Sequence, residues 1–320
     1  MEQHRWLVRF PTGPVAQGSE RRTHNLLVPG SNPGRPTEGG TISDTAIDLR
    51  SLTRTYGARR GVLDLTLAIG RGEIFGFLGP NGAGKTTTIR LLLGLIRPTR
   101  GTAVVLGHDI ASDGIGARWR IGFLSGEVAL YPAMRVSEYL RFMGSFSRHY
   151  SIEQARPYAE RFDLDLGRRI GGLSKGNRQK VGLVAALQHK PELLILDEPT
   201  SGLDPLLQQE MHAVLREERA RGTTVFMSSH DLGEVQALCD RVGMLRDGRL
   251  VRVLEVGSLG TLGARRFRVT YPDGHVEERR VSGPLAPFLR EVADARATDL
   301  REDDVTLEES FLSLYDGTGR

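Results

Sequence analysis

Glu73-Ile74-Phe75-Gly76-Phe77-Leu78-Gly79-Pro80-Asn81-Gly82-Ala83-Gly84-Lys85-Thr86-Thr87 decides the fold of this 320-residue chain. Glu73 to Leu78 reads as a strand, and Lys85 to Leu95 carries apolar residues down one side, as a helix does. Between them Gly79 to Thr86 satisfies G-x-x-x-x-G-K-[ST], in the strand–turn–helix setting that this pattern needs. The glycines let the backbone curl so that successive N–H groups face phosphate oxygens, and the helix N-terminus adds partial positive charge. Lys85 is placed to neutralise the β and γ oxygens, and the Thr86 hydroxyl is offered to Mg²⁺.

A second stretch completes the chemistry. Leu193-Leu194-Ile195-Leu196 reads as a buried strand that ends in two acids, Asp197 and Glu198, at the carboxyl edge of a sheet where ligands bind. Asp197 is expected to hold Mg²⁺ through water, and Glu198 to polarise an attacking water. From Ala46 to about Val256 strands and helices alternate between Gly-rich turns, the pattern of an α/β domain with parallel strands. The segment from about Glu127 to Leu173 is more helical and reads as an inserted subdomain. After Val256 the character changes: Phe267, Val269 and Tyr271 alternate with polar residues before the turn Pro272-Asp273-Gly274, and Val276 to Val281 returns as a second strand. Thr306 and Glu309 form a capping box for a last helix, giving a small α+β appendage.

Composition narrows the function further. With 43 Lys and Arg against 39 Asp and Glu, the formal charge of +4 is too small for a nucleic-acid footprint, so no nucleic-acid partner is expected. The single cysteine, Cys239, excludes an internal disulfide framework and a Cys-rich zinc site, which points to a reducing, cytosolic setting. The best apolar run, Ile89 to Ile96, is short and contains Arg90, so if the protein works at a membrane another chain crosses it. Residues 1–41 show no sustained periodicity. Val15-Ala16-Gln17 and Gly30-Ser31-Asn32-Pro33 back-translate to the D-arm and T-arm consensus of a tRNA gene, with Thr23-His24-Asn25 fitting an anticodon loop reading CAT. The segment is expected to be either a disordered tail or a spurious N-terminal extension, with the protein starting near Ile42 or Ser43.

Further motifs lie in order along the chain. Leu173-Ser174-Lys175-Gly176-Asn177-Arg178-Gln179 precedes the acidic strand, Pro199-Thr200-Ser201-Gly202-Leu203-Asp204 follows it, and Ser228-Ser229-His230-Asp231 comes later. Together with the phosphate loop they resemble the ATP-binding subunits of ABC transporters from about Ile47 to Val256. The resemblance implies a P-loop NTPase fold of the ABC nucleotide-binding type, with a mixed sheet core, a helical subdomain and here the C-terminal appendage. It also implies that Leu173 to Gln179 is the signature and Pro199 to Asp204 the D-loop. Ser174 and Gly176 would then meet the γ-phosphate of ATP held by another chain. Tyr56 matches the aromatic that stacks on adenine, although by itself it reads as a half-buried aromatic. His230 matches the switch histidine that bridges the γ-phosphate and the catalytic carboxylate, although a lone histidine is as often structural.

The site expected from these readings has Glu198 and His230 as catalytic residues. Tyr56, Gly79, Pro80, Asn81, Gly82, Ala83, Gly84, Lys85, Thr86, Thr87, Ser174, Gly176 and Asp204 contact ATP. Thr86 and Asp197 hold Mg²⁺. Two departures from the family pattern stand out. Lys175 and Asn177 replace the signature's first glycine and its glutamine, as in drug-export and bacitracin-resistance members. Gly126 occupies the place of the Q-loop glutamine, and Glu127 either takes over as a metal or water ligand or leaves coupling without a side chain there. The expected organisation is an ATPase domain at 42–256, with its helical subdomain at 127–173, and an accessory domain at 257–320. One phosphate loop and one signature make half of each of two composite sites, so a second nucleotide-binding domain is implied. So is a separate membrane permease, reached from the cytoplasmic face. The ending Leu307-Glu308-Glu309-Ser310-Phe311-Leu312 is similar to tails of multidrug-type exporters. The alternative is a cytosolic ABC ATPase not coupled to transport, such as one for iron–sulfur cluster assembly.

Overall fold

The apolar runs that read as strands are the most buried parts of the chain. In the computed structural model β3 (Ile74–Leu78), β7 (Leu193–Asp197) and β8 (Thr224–Ser229) are buried at every residue. The structure describes residues 44–57, 59–147, 151–257, 265–281 and 285–303. The N-terminal segment 1–41 and the helix expected from Thr306 lie outside them.

Strands β3, β7 and β8 lie in a six-stranded sheet with β6 (Ile121–Leu124), β9 (Arg241–Arg246) and β10 (Arg249–Glu255), in the order β10-β9-β3-β8-β7-β6. All pairs are parallel except β9 with β10, which run antiparallel. Burial on both faces follows from two separate cores. Ile74 and Leu78 of β3 pack into one core with residues of α5 (Lys175–Leu187), α6 (Pro205–Ala220) and α7 (Leu232–Leu238). Phe75 and Phe77, pointing the other way as strand pleating requires, enter the second core. That core is shared with α1 (Lys85–Leu92) and with an antiparallel sheet of β1 (Thr45–Tyr56), β2 (Arg59–Gly70), β4 (Arg100–Val105) and β5 (His108–Asp109). Phe226 of β8 sits at its centre, with ring centroids 6.2 Å from Phe75 and 5.3 Å from Phe77. Phe226→Ala is therefore expected to cost about 3–5 kcal/mol, read as a lower denaturation midpoint at unchanged slope.

Helix limits differ from the sequence reading in ways that have local causes. The first helix stops at Leu92 rather than Leu95, because Gly94 turns the chain left-handed at φ 62°. Helix α5 starts at Lys175, since the Ser174 hydroxyl caps it by accepting from Asn177 N at 3.3 Å. Upstream lies α2 (Ile110–Arg118), and within residues 127–173 lie α3 (Val136–Gly144) and α4 (Ile152–Arg161). Helix α4 is fastened to α6: Arg161 bridges Glu210 and Glu217, each at 2.6 Å, and Tyr158 donates to Glu218 at 2.8 Å. Glu218 is only 2% exposed and is also met by Arg221.

The expected hairpin forms β11 (Arg265–Thr270) and β12 (Val276–Val281), paired in register from Arg265↔Val281 to Thr270↔Val276. Two elements escaped the sequence reading, α8 (Leu285–Asp294) and β13 (Asp299–Asp303), the latter pairing with β11. Phe267, Val269, Phe288 and Val292 form the small core that joins sheet to helix. Among the described residues no helix is long and apolar enough to cross a membrane.

Candidate active site

The neighbouring carboxyl ends of β3, β8 and β7 bring three motifs together, and the strand order is what makes them adjacent. Gly79, just past β3, donates its N–H to Ser229 O of β8 at 3.3 Å. The loop then turns through Gly84 at φ 110°, where a Cβ would stand 2.7 Å from Gly61 O, so only glycine fits. Lys85 is 5% exposed. Its ammonium donates to Gly79 O at 2.6 Å and Pro80 O at 3.3 Å, and lies 3.5 Å from Glu198 Oε1. A pocket of about 160 Å³ is lined by Pro80, Asn81, Gly82, Gly84, Lys85, Thr86 and Thr87, with Gly61 and Glu198. Ala83 is buried against the second core and donates its N–H to Pro80 O.

The acids are organised by hydroxyls. Thr86 donates to Asp197 Oδ2 at 3.1 Å. Ser228 donates to Asp197 Oδ1 at 2.6 Å, and its oxygen accepts the N–H of Glu198 at 3.1 Å. A hydroxyl and a carboxylate are the hard oxygen donors that suit Mg²⁺, which takes one or two protein oxygens and completes its shell with phosphate and water. Glu198 is held at φ 48°, a left-handed conformation that costs a non-glycine residue on the order of 1 kcal/mol or more and recurs at functional sites. His230 Nδ1 approaches Glu198 Oε1 at 3.4 Å. Lys85 and His230 thus both approach the same carboxylate oxygen, Glu198 Oε1.

The remaining sequence candidates are placed as follows. Tyr56 is 40% exposed, with the Arg54 guanidinium over its ring at 4.8 Å. Ser174 caps α5 and Gly176 lies in its first turn, beside Gly202 of the D-loop; neither lines the phosphate pocket of its own chain. Asp204 caps α6, accepting from Leu207 N at 3.0 Å. A Cβ at Gly126 would lie 3.2 Å from the Asp197 carbonyl oxygen and 3.9 Å from Asp197 Cγ, so position 126 adjoins Asp197. Glu127 instead lines a separate apolar groove with Trp119, Phe123, Tyr139 and Phe146, and the geometry gives its reading as a metal ligand no support. Sequence reasoning missed Gly61, which no local signal marks, and Ser228, whose place at a buried strand end was the available clue.

A family profile described as ABC transporter matches residues 62–201. The bacitracin transport ATP-binding protein BcrA of Bacillus licheniformis is 38% identical over 210 residues, 65% of this chain and 69% of BcrA. The chain belongs to the ABC transporter ATP-binding family. YbhF of Escherichia coli (strain K12), described as a probable multidrug ABC transporter ATP-binding protein, is 35% identical to this ABC chain over 250 residues. The aligned region is 76% of this chain but only 42% of YbhF. A solved structure described as the ATP binding subunit of an ABC transporter superposes with TM-score 0.63 at 30% identity, over 67% of the ABC chain and 92% of the other.

Proposed function

We propose that the chain hydrolyses ATP to drive a separate membrane permease, in the manner of exporters of drug-like or antibiotic substrates. One observation carries the ATPase reading: the Glu198 carboxylate stands within 3.5 Å of Lys85 Nζ and within 3.4 Å of His230 Nδ1 at one sheet edge. A general base for water, a phosphate-binding cation and a histidine that can follow the γ-phosphate are therefore side by side. Thr86 and Asp197 would hold Mg²⁺, which neutralises charge on the β and γ oxygens. Tyr56 would stack on adenine. Ser174 and Gly176 do not line the phosphate pocket of their own chain, which is in keeping with a dimer in which each signature serves the partner's nucleotide. The export direction is carried only by likeness to relatives such as BcrA and YbhF. Residues 42–256 are read as the ATPase domain and 257–320 as an accessory domain, on the change of sequence character at Val256.

The groove supports a permease partner at the cytoplasmic membrane face. It holds about 530 Å³ beside α2, β6 and α3. Its exposed rings include Trp119 at 45% and Phe146 at 52%, and Phe142 packs edge-on against both Phe146 and Tyr131. An exposed apolar patch of this kind marks an interaction site, and an apolar helix end from a membrane chain is the occupant it suits. Trp119→Glu is expected to abolish co-purification of the permease, whereas Leu95→Glu, exposed but outside the groove, retains it. Equal capture by both variants would remove the groove from the interface.

A further inference from the structure

Ser228 and Ser229 are consecutive in β8 and point to opposite faces of the sheet. Ser228 serves the acids, while Ser229 turns toward α7 and meets a carboxylate that the ATPase reading leaves without a role. Glu234 is 8% exposed, and its Oε2 accepts the Ser229 hydroxyl at 2.6 Å. The same hydroxyl oxygen accepts the Asp231 N–H at 3.0 Å. Asp231 in turn accepts from Gly233 N at 2.7 Å and Glu234 N at 3.2 Å. These bonds tie Ser229, Asp231 and Glu234 together, so both chain neighbours of His230 are held.

We propose that Glu234 is a positioning residue for ATP hydrolysis, holding His230 at its distance from Glu198 by anchoring the Ser229 hydroxyl. Its chemistry is otherwise unfavourable for a fold. Glu234 Oε1 is buried without a hydrogen-bond partner, and an unsatisfied buried oxygen is costly where an apolar residue would pack freely. Burial raises the Glu234 pKa, while the bond from the Ser229 hydroxyl opposes that shift. The inference rests on the reading of His230 and Glu198 given above.

Steady-state ATPase kinetics of the full chain test it, with melting curves beside each variant. Glu234→Met keeps the volume and loses the acceptor; kcat is expected to fall about tenfold with KM for ATP within about twofold. Glu234→Gln keeps an acceptor for the serine and is expected to retain most of the rate. Ser229→Ala should fall as far as Glu234→Met, and the double variant no further, because the two residues act as one unit. Multiplying losses in the double variant, or an unchanged kcat in a folded Glu234→Met, would overturn the proposal. Should Glu234→Met fail to fold, Ser229→Ala alone decides, and a parental kcat there overturns it equally. His230→Ala separates the two layers: if it is inactive while Glu234→Met is not, the positioning inference alone fails. If His230→Ala keeps the parental rate, the reading of His230 fails and takes the inference with it.

Discussion

Glu198→Gln is expected to bind ATP and scarcely hydrolyse it, with turnover about 10²–10⁴-fold below the parent. The amide has the shape of the carboxylate, and the backbone N–H of residue 198 keeps its bond to Ser228 Oγ, so the fold of the site is preserved. What disappears is the group that accepts a proton from water, together with the charge that pairs with Lys85 and His230. Because nucleotide still binds, ATP should accumulate between two chains. Size-exclusion chromatography in Mg-ATP should then show a dimer carrying two ATP molecules. A variant that hydrolyses within tenfold of the parent would remove Glu198 from the role of base.

Lys85→Ala should fail at the earlier step. The Lys85 ammonium is nearly inaccessible and already bonded to two loop carbonyls, so it is fixed before any phosphate arrives. Truncating a buried, hydrogen-bonded cation opposite an anion costs about 2–5 kcal/mol, which is roughly a 30- to 5,000-fold loss of affinity. Isothermal titration with ATP reads this directly, and the variant should remain monomeric where Glu198→Gln dimerises. Identical behaviour of the two variants would mean that binding and hydrolysis have not been assigned to separate residues.

The parts of this site that were legible in the sequence are those whose chemistry is local. The loop from Gly79 to Thr86 must be glycine-rich to curl around phosphate, and β3 and β7 are apolar on both faces because a core lies on each side. Residues whose role depends on distant chain could not be read. Gly61 matters because its carbonyl crowds Gly84, two strands of sequence away. Glu234 sits on an ordinary amphipathic turn, and only the packing of α7 shows that its carboxylate is buried. Glu127 follows a glycine and carries no local signal of its neighbours: a Cβ at 126 would lie against Asp197, whereas Glu127 is among the residues lining the apolar groove. Strand β13 offers Leu300 as its lone apolar residue, so it had no periodicity to detect.

The left-handed backbone at Glu198 sets chemistry against heat resistance at a single position. Glycine, or to a lesser degree asparagine, would adopt φ 48° with less strain than glutamate does. A library randomised at this codon and screened only for survival at high temperature would be drawn away from the acid. The same library screened for ATP turnover would be drawn back to it. On the proposed reading of Glu198 as the group that polarises water, the carboxylate's chemistry offsets the strain of its backbone.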